Sequence, residues 1–146
     1  MVQSQSILAD TIFYVKDFLN SNITDPITRP GNEDFIMTSY PTRAVRYPII
    51  TIKDLNSNDL GALGLQSEAS LYYIDMEVRV WGRNVKERDQ LAQEIYNDLK
   101  NNQIGASGTS QANDLHDFRL LSMVNIDEAD GTKSKVMTFR FLFVAV

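Results

Sequence analysis

The sequence predicts an α+β fold: a single domain with a mixed or antiparallel sheet of about four strands and two main helices packed on one face of it. Three observations lead there. Between Leu71 and Lys100 (LYYIDMEVRVWGRNVKERDQLAQEIYNDLK) the apolar period switches from two to about three and a half, so one strand hands directly to one helix. Residues 118–146 hold two strand-like runs joined by DEADGTK, whose Asp130-Gly131 supplies the positive-φ positions of a tight hairpin. Near the start, Ile7, Leu8, Ile12, Val15, Phe18 and Leu19 fall on one side of a helical projection. At 146 residues the chain fits one domain, 1–146, and can bury roughly two thirds of its unfolded surface.

Taken in order, the first helix is predicted from Ser4 to Asn20, stopped by the polar run Asn20-Ser21-Asn22. Asp25-Pro26 and Arg29-Pro30-Gly31 make a continued helix unfavourable, so an irregular stretch or a short strand follows. Pro48 to Ile52 (PIITI) reads as a short buried strand opened by its proline. Residues 54–70 (DLNSNDLGALGLQSEAS) are rich in Asn, Ser, Asp and Gly and read as a flexible loop, although Leu60, Leu63 and Leu65 make it more apolar than a solvated loop needs. From Tyr72 to Val80 every second residue is apolar, so that face lies on a core. The opposite face carries Leu71, Tyr73, Asp75, Glu77, Arg79 and Trp81, a blend of aromatic and charged groups suited to a protein contact.

Asn84 is placed to cap the second helix, with Glu87 completing a capping-box-like pair, and Arg88, Leu91, Ala92, Ile95 and Leu99 form its narrow buried stripe up to about Asn101. Residues 101–114 (NNQIGASGTSQAND) have almost nothing to bury and read as a second flexible loop. Strands over Phe118–Ile126 and Lys135–Val146 close the domain. In the last, Met137, Phe139, Phe141 and Phe143 stripe one face while Val136, Leu142, Val144 and Val146 make the other apolar too, and another copy of the protein is the simplest cover for it. The sequence shows no internal repeat or heptad array.

Bulk composition excludes some chemistry. A net charge of −5 and a pI near 4.8 argue against sequence-independent nucleic-acid binding, which relies on clustered Lys and Arg. Without cysteine there is no disulfide framework, thiolate metal site or cysteine nucleophile, a composition compatible with a reducing cytoplasm. The first twenty residues have no basic n-region and no uninterrupted apolar span, so neither a signal peptide nor a membrane helix is expected there.

Asp75, Glu77 and Arg79 place three charges on one side of a strand, faintly like the carboxylates and basic residue of metal-dependent nucleases. Such sites use a lysine there, a further upstream acid and a cationic groove, so a charged stripe making cross-strand or intersubunit pairs is the preferred reading. His116 and Asp117 are adjacent on a strand and point to opposite faces, which leaves His116 as a solvent-exposed turn residue. Ser107 and Ser110 lie in the second loop without a nucleophile motif, and Gly61, Gly64, Gly105 and Gly108 match no phosphate-binding pattern and read as loop glycines. Trp81, before Gly82-Arg83, is either a core anchor or an exposed hot spot.

The order of elements, P-I-I-T-I, then Y-x-I-x-M-x-V-x-V-W, then a helix of the form ER-x-x-L-A-x-x-I-Y-x-x-L, resembles the tail terminator proteins of long-tailed bacteriophages and their neck-region relatives. The match lies in Pro48–Ile52 and Tyr72–Leu99, with the Asp117–Val146 hairpin in the expected place; residues 20–46 and both loops match only by position. The resemblance implies a non-enzymatic virion protein without cofactor or metal, assembled in the host cytoplasm, that forms a ring, commonly a hexamer, on the head-proximal end of the tail tube. Its implied partners are further copies of itself, the tail tube protein, a head–tail connector or stopper protein, and genomic DNA crossing the lumen without specific binding; no membrane is involved. An acidic lumen keeps DNA from sticking in transit. The candidate interface residues are Tyr73, Asp75, Glu77, Arg79, Trp81, Arg83 and Arg140. Another neck subunit (head completion, stopper or adaptor) is the near alternative, and a small metal-dependent nuclease the remote one.

Overall fold

A computed structural model describes the backbone of residues 7–31, 33–41, 44–62, 70–101 and 115–145, and the side chains of all of these except 7–10, 56–62, 70–72, 101, 115–117 and 143–145. The chain runs α1 (Ile7–Asn22), β1 (Ile36–Met37), β2 (Ile49–Ala62), β3 (Ser70–Gly82), α2 (Val85–Asn101), β4 (Leu115–Asp127) and β5 (Lys133–Ala145). Its five strands form one sheet in the order β1-β2-β3-β5-β4, parallel between β1 and β2 and antiparallel elsewhere. Both helices cover the same face, which is the α+β arrangement the sequence predicts.

The period-two stripe of β3 is the floor of the core. Ile74, Met76, Val78 and Val80 are fully buried, flanked by Ile50 and Ile52 of β2 and by Met137, Phe139 and Phe141 of β5. Above them α1 sets Val15 and Leu19, and α2 sets Leu91, Ala92, Ile95 and Leu99. From β4 the Phe118 ring reaches in, 4.9 Å from Phe139 and 5.5 Å from Phe141 between centroids. Each large apolar side chain buried this way contributes about 1.5–3 kcal/mol.

The start of α2 is built as its sequence dictates. The Glu87 N–H donates to Asn84 Oδ1 (2.9 Å), and the Glu87 carboxylate reaches back to accept from the Arg83 N–H (3.1 Å), one residue earlier than a standard capping box. Arg88, in the buried stripe, is 4% exposed, and a Cβ on Gly82 would stand 2.9 Å from its Cβ. The turn from β3 into α2 therefore requires glycine at 82. At the other end, α1 runs past Asn20 because the polar run bonds back into the helix: Ser21 Oγ donates to the Asp17 carbonyl (2.9 Å) and Asn22 Nδ2 to that of Phe18 (2.7 Å).

One sequence expectation changes. Residues 54–62 are not loop: β2 continues to Ala62, paired with β3 throughout, with register slips between Asp54 and Asn56 and between Asp59 and Gly61. Asn, Ser, Asp and Gly disfavour strands by themselves, but the unmet hydrogen-bonding groups of the long β3 impose the pairing, and the slips absorb the poor fit. Gly61 is accordingly a strand residue. β1 is the short strand that the sequence allows in the stretch after Arg29-Pro30-Gly31, where Phe35 and Ile36 are buried, and it is the fifth in the sheet. Residues 63–69 and 102–114, with Ser107, Ser110 and Gly64, Gly105 and Gly108, lie outside the described residues, as do the side chains of His116 and Asp117, whose backbone belongs to β4.

The β4–β5 turn closes on Gly131 at φ 88°, its N–H donating to the Glu128 carbonyl (3.0 Å). Asp130 has another role there: its Oδ1 accepts from the Thr132 N–H (2.9 Å).

Candidate functional site

The sheet face away from the helices carries six of the seven candidate residues. Alternation along β3 points Tyr73, Asp75, Glu77, Arg79 and Trp81 to this side, and the register sets Arg140 of β5 directly beside Asp75. Arg140 Nε donates to Asp75 Oδ1 (2.7 Å) and Nη2 to Oδ2 (3.0 Å), a two-point ion pair across strands, and the guanidinium carbon stands 5.1 Å from the Tyr73 ring centre. The Asp75 hydrogen bonds raise the Arg140 pKa above its ordinary value. Both Asp75 oxygens are thus engaged by Arg140, a cross-strand pair, where the sequence leaves cross-strand and intersubunit pairing both open. Glu77 follows, in register with Lys53 and Thr138.

At the next step along β3, the Arg79 guanidinium lies over Trp81, 4.6 Å from the ring centre. Trp81 is 9% exposed and acts as a packing anchor. Its Nε1 donates to Thr51 Oγ1 (3.3 Å), the Tyr40 ring tilts against it at 4.9 Å, and the Tyr47 ring stacks at 6.3 Å with an interplanar angle of 17°. The two tyrosine hydroxyls share a hydrogen bond (2.8 Å), and burial, with that bond, pushes the Tyr47 pKa up to about 12. Tyr40 therefore covers Trp81 at the end of the open face together with Tyr47 of the segment 44–48.

Arg29 holds that segment down. Its side chain is 5% exposed, and it donates through Nε to Asp25 Oδ2 (2.6 Å), through Nη1 to the Arg46 carbonyl (2.5 Å) and through Nη2 to the Pro48 carbonyl, with its guanidinium over Phe35. Arg29, Tyr40, Tyr47 and Thr51 are the residues of this region that sequence reading misses. The available signals are weak: an Asp and an Arg four apart around Pro26, and tyrosines next to Pro41 and Pro48.

Arg83, the seventh candidate, stands apart. It is exposed at the β3–α2 turn, where its guanidinium pairs with the Glu87 carboxylate. A groove of about 300 Å³ lies between Thr38, Ser39 and Tyr40 on one side and Lys53, Glu77 and Arg79 on the other. Its floor is mixed in charge, and the Arg79 Nε is buried there without a hydrogen-bond partner. A second groove of about 450 Å³ follows Tyr40, Tyr47 and Trp81 to the acidic turn at Glu128 and Asp130. Among the described residues no three His, Asp or Glu side chains converge where they could hold a metal ion, and no helix is long and apolar enough to cross a membrane.

Charge pairs also fasten α2 to the hairpin. Asp89 accepts from Arg88 Nε (2.9 Å) and meets Lys135 Nζ at 2.9 Å, and these partners, Arg88 first, hold its carboxyl below the ordinary value; Arg83 does the same for Glu87. A carboxylate with a depressed folded-state pKa adds stability above its unfolded pKa and loses it as pH falls through the folded value. Asp98, pushed up by burial, works the other way: its charge costs stability at neutral pH, and acid relieves that cost. Acidification below about pH 4 is expected to loosen the α2–hairpin junction, and Asp89→Asn to flatten the acid limb of a plot of Tm against pH. An acid limb unchanged by Asp89→Asn would contradict this assignment.

The sequence matches no protein-family model and no curated protein sequence.

Proposed function

We propose that the chain is a non-catalytic virion subunit of tail-terminator type, a ring on the head-proximal end of a phage tail tube that stops tube polymerisation and presents a surface for head joining. The observation that carries the reading is the one-sided sheet. Its helix-free face is a broad wall whose most buried acid, Asp75, is matched by Arg140 and whose aromatic anchor, Trp81, is roofed by the chain itself. Such a wall suits a ring subunit that must touch neighbours and pass DNA without gripping it, and the net charge of −5 agrees with passage rather than binding. The sequence resemblance in Pro48–Ile52 and Tyr72–Leu99 supports the same reading. In it the partners are further copies, tail tube protein and a head-side connector or stopper, and the location is the virion neck.

Electron microscopy of the purified protein, alone and on assembled tails, tests the ring. Closed rings seated at one tube end are expected. A chain that stays monomeric at high concentration and forms no ring on tails removes the reading. Magnesium- or manganese-dependent DNA cleavage, abolished by Asp75→Asn with Glu77→Gln, would move the protein to the nuclease class.

A further inference from the structure

The sheet order leaves two long edges without a partner among the described residues. β4 pairs only with β5, along 13 residues from Leu115 to Asp127. On the other side, β1 pairs only with Ile50 and Thr51, so β2 from Ile52 to Ala62 is also open. An open edge is a row of unpaired backbone N–H and C=O groups, and soluble proteins guard such rows with lysines, prolines or very short strands. β4 is long, has no proline, and carries one charge, Arg119, between Phe118 and Ile126.

Apolar exposure concentrates on these same edges. Of the seven large hydrophobic side chains exposed among the described residues, Leu55 lies on the β2 edge and Leu121, Met123 and Val124 on the β4 edge. Each edge also has a register slip that leaves a leucine out of the ladder: Leu55 between Asp54 and Asn56, and Leu121 between Leu120 and Ser122. A slip can blunt an edge by twisting it away, but it also re-aims a side chain, and a side chain that guards an edge is charged. Here the side chain turned out is leucine, 45% exposed at both positions.

Strand direction then selects the occupant. β2, β3, β5 and β4 alternate in direction across the sheet, so in copies related by rotation about one axis, β4 of one copy meets β2 of the next antiparallel, with the helices on the same side throughout. A two-fold β4–β4 joint would cover one edge and leave the Leu55 edge open. A single head-to-tail joint covers both, and a heterologous joint of this kind closes into a ring when the rotation divides a full turn. We propose that copies of this chain join through their sheet edges, β4 of one pairing with β2 of the next around the Leu121–Val124 and Leu55 positions. The proposal names the joint for the ring reading above and rests on that reading only for closure.

The chain has no cysteine, so introduced thiols report unambiguously. Leu55→Cys and Met123→Cys are made singly and together, the full-length protein is brought to the concentration at which light scattering shows its largest assembly, and a short bismaleimide is added. The joint is expected to give linked multimers in the double variant, linked dimers when the two single variants are mixed, and no linkage in either alone. Leu121→Lys with Val124→Lys is expected to weaken self-association about tenfold or more with the circular dichroism of the folded subunit unchanged. Linked dimers from Met123→Cys alone would show the two-fold joint and overturn the proposal. Rings that persist in the double-lysine variant, with no Leu55–Met123 linkage, would also overturn it while leaving the ring reading intact; absence of any assembly, in solution and on tails, would remove both.

Discussion

Arg29→Ala is expected to lower stability by about 2–4 kcal/mol, since truncating one partner of a nearly buried charged network leaves the rest unmatched. The carbonyls of Arg46 and Pro48 lose their side-chain donor, the Asp25 carboxylate keeps only the Ile27 N–H, and the Phe35 ring loses the cation above it. For a domain of this size the loss corresponds to a fall in Tm on the order of 10 °C. The damage should be local before it is global, because the segment released is the one that covers Trp81. Trp81 is the only tryptophan, so native-state fluorescence reads that region directly, and its emission should shift to the red in the variant. Arg29→Lys keeps the charge but not the fork of donors and should fall between the two. An alanine variant with unchanged Tm and unchanged emission would show that the 44–48 segment is held by something else.

Elements whose causes are local were legible in the sequence. The switch from β3 to α2 is written in adjacent residues, with Asn84 and Glu87 marking the helix start and Gly131 marking the hairpin turn, and these stand where the pattern puts them. β2 was not legible beyond Ile52. Asn56, Ser57, Asn58 and Asp59 have loop composition, and they are strand because β3 offers a continuous row of partners, a cause found elsewhere in the chain. The site shows the same division. Alternation alone gives the charged and aromatic face of β3, but the pairing of Asp75 with Arg140 spans 65 positions and depends on register. The roof over Trp81 comes from Tyr40 and Tyr47, held by an arginine that bonds to backbone carbonyls. Carbonyls are the same at every residue, so no composition or spacing marks the ones Arg29 uses.

The terminator reading carries the second large expected effect. A ring that caps the tube removes the template for the next tube ring, so without it polymerisation runs past the normal end. A phage lacking this protein should accumulate heads filled with DNA and unjoined to tails. If the missing protein is instead a stopper or adaptor, the tube still ends correctly and only the joining fails. Both defects leave unjoined heads, so tail length separates the two readings and head joining alone does not.

The deciding measurement is therefore the length distribution of tail tubes in electron micrographs of lysates lacking this protein. Tubes that outgrow the normal length and lie unattached beside full heads are expected. Tubes of normal length joined to heads would contradict the terminator reading outright, and tubes of normal length left unjoined would replace the terminator with another neck subunit.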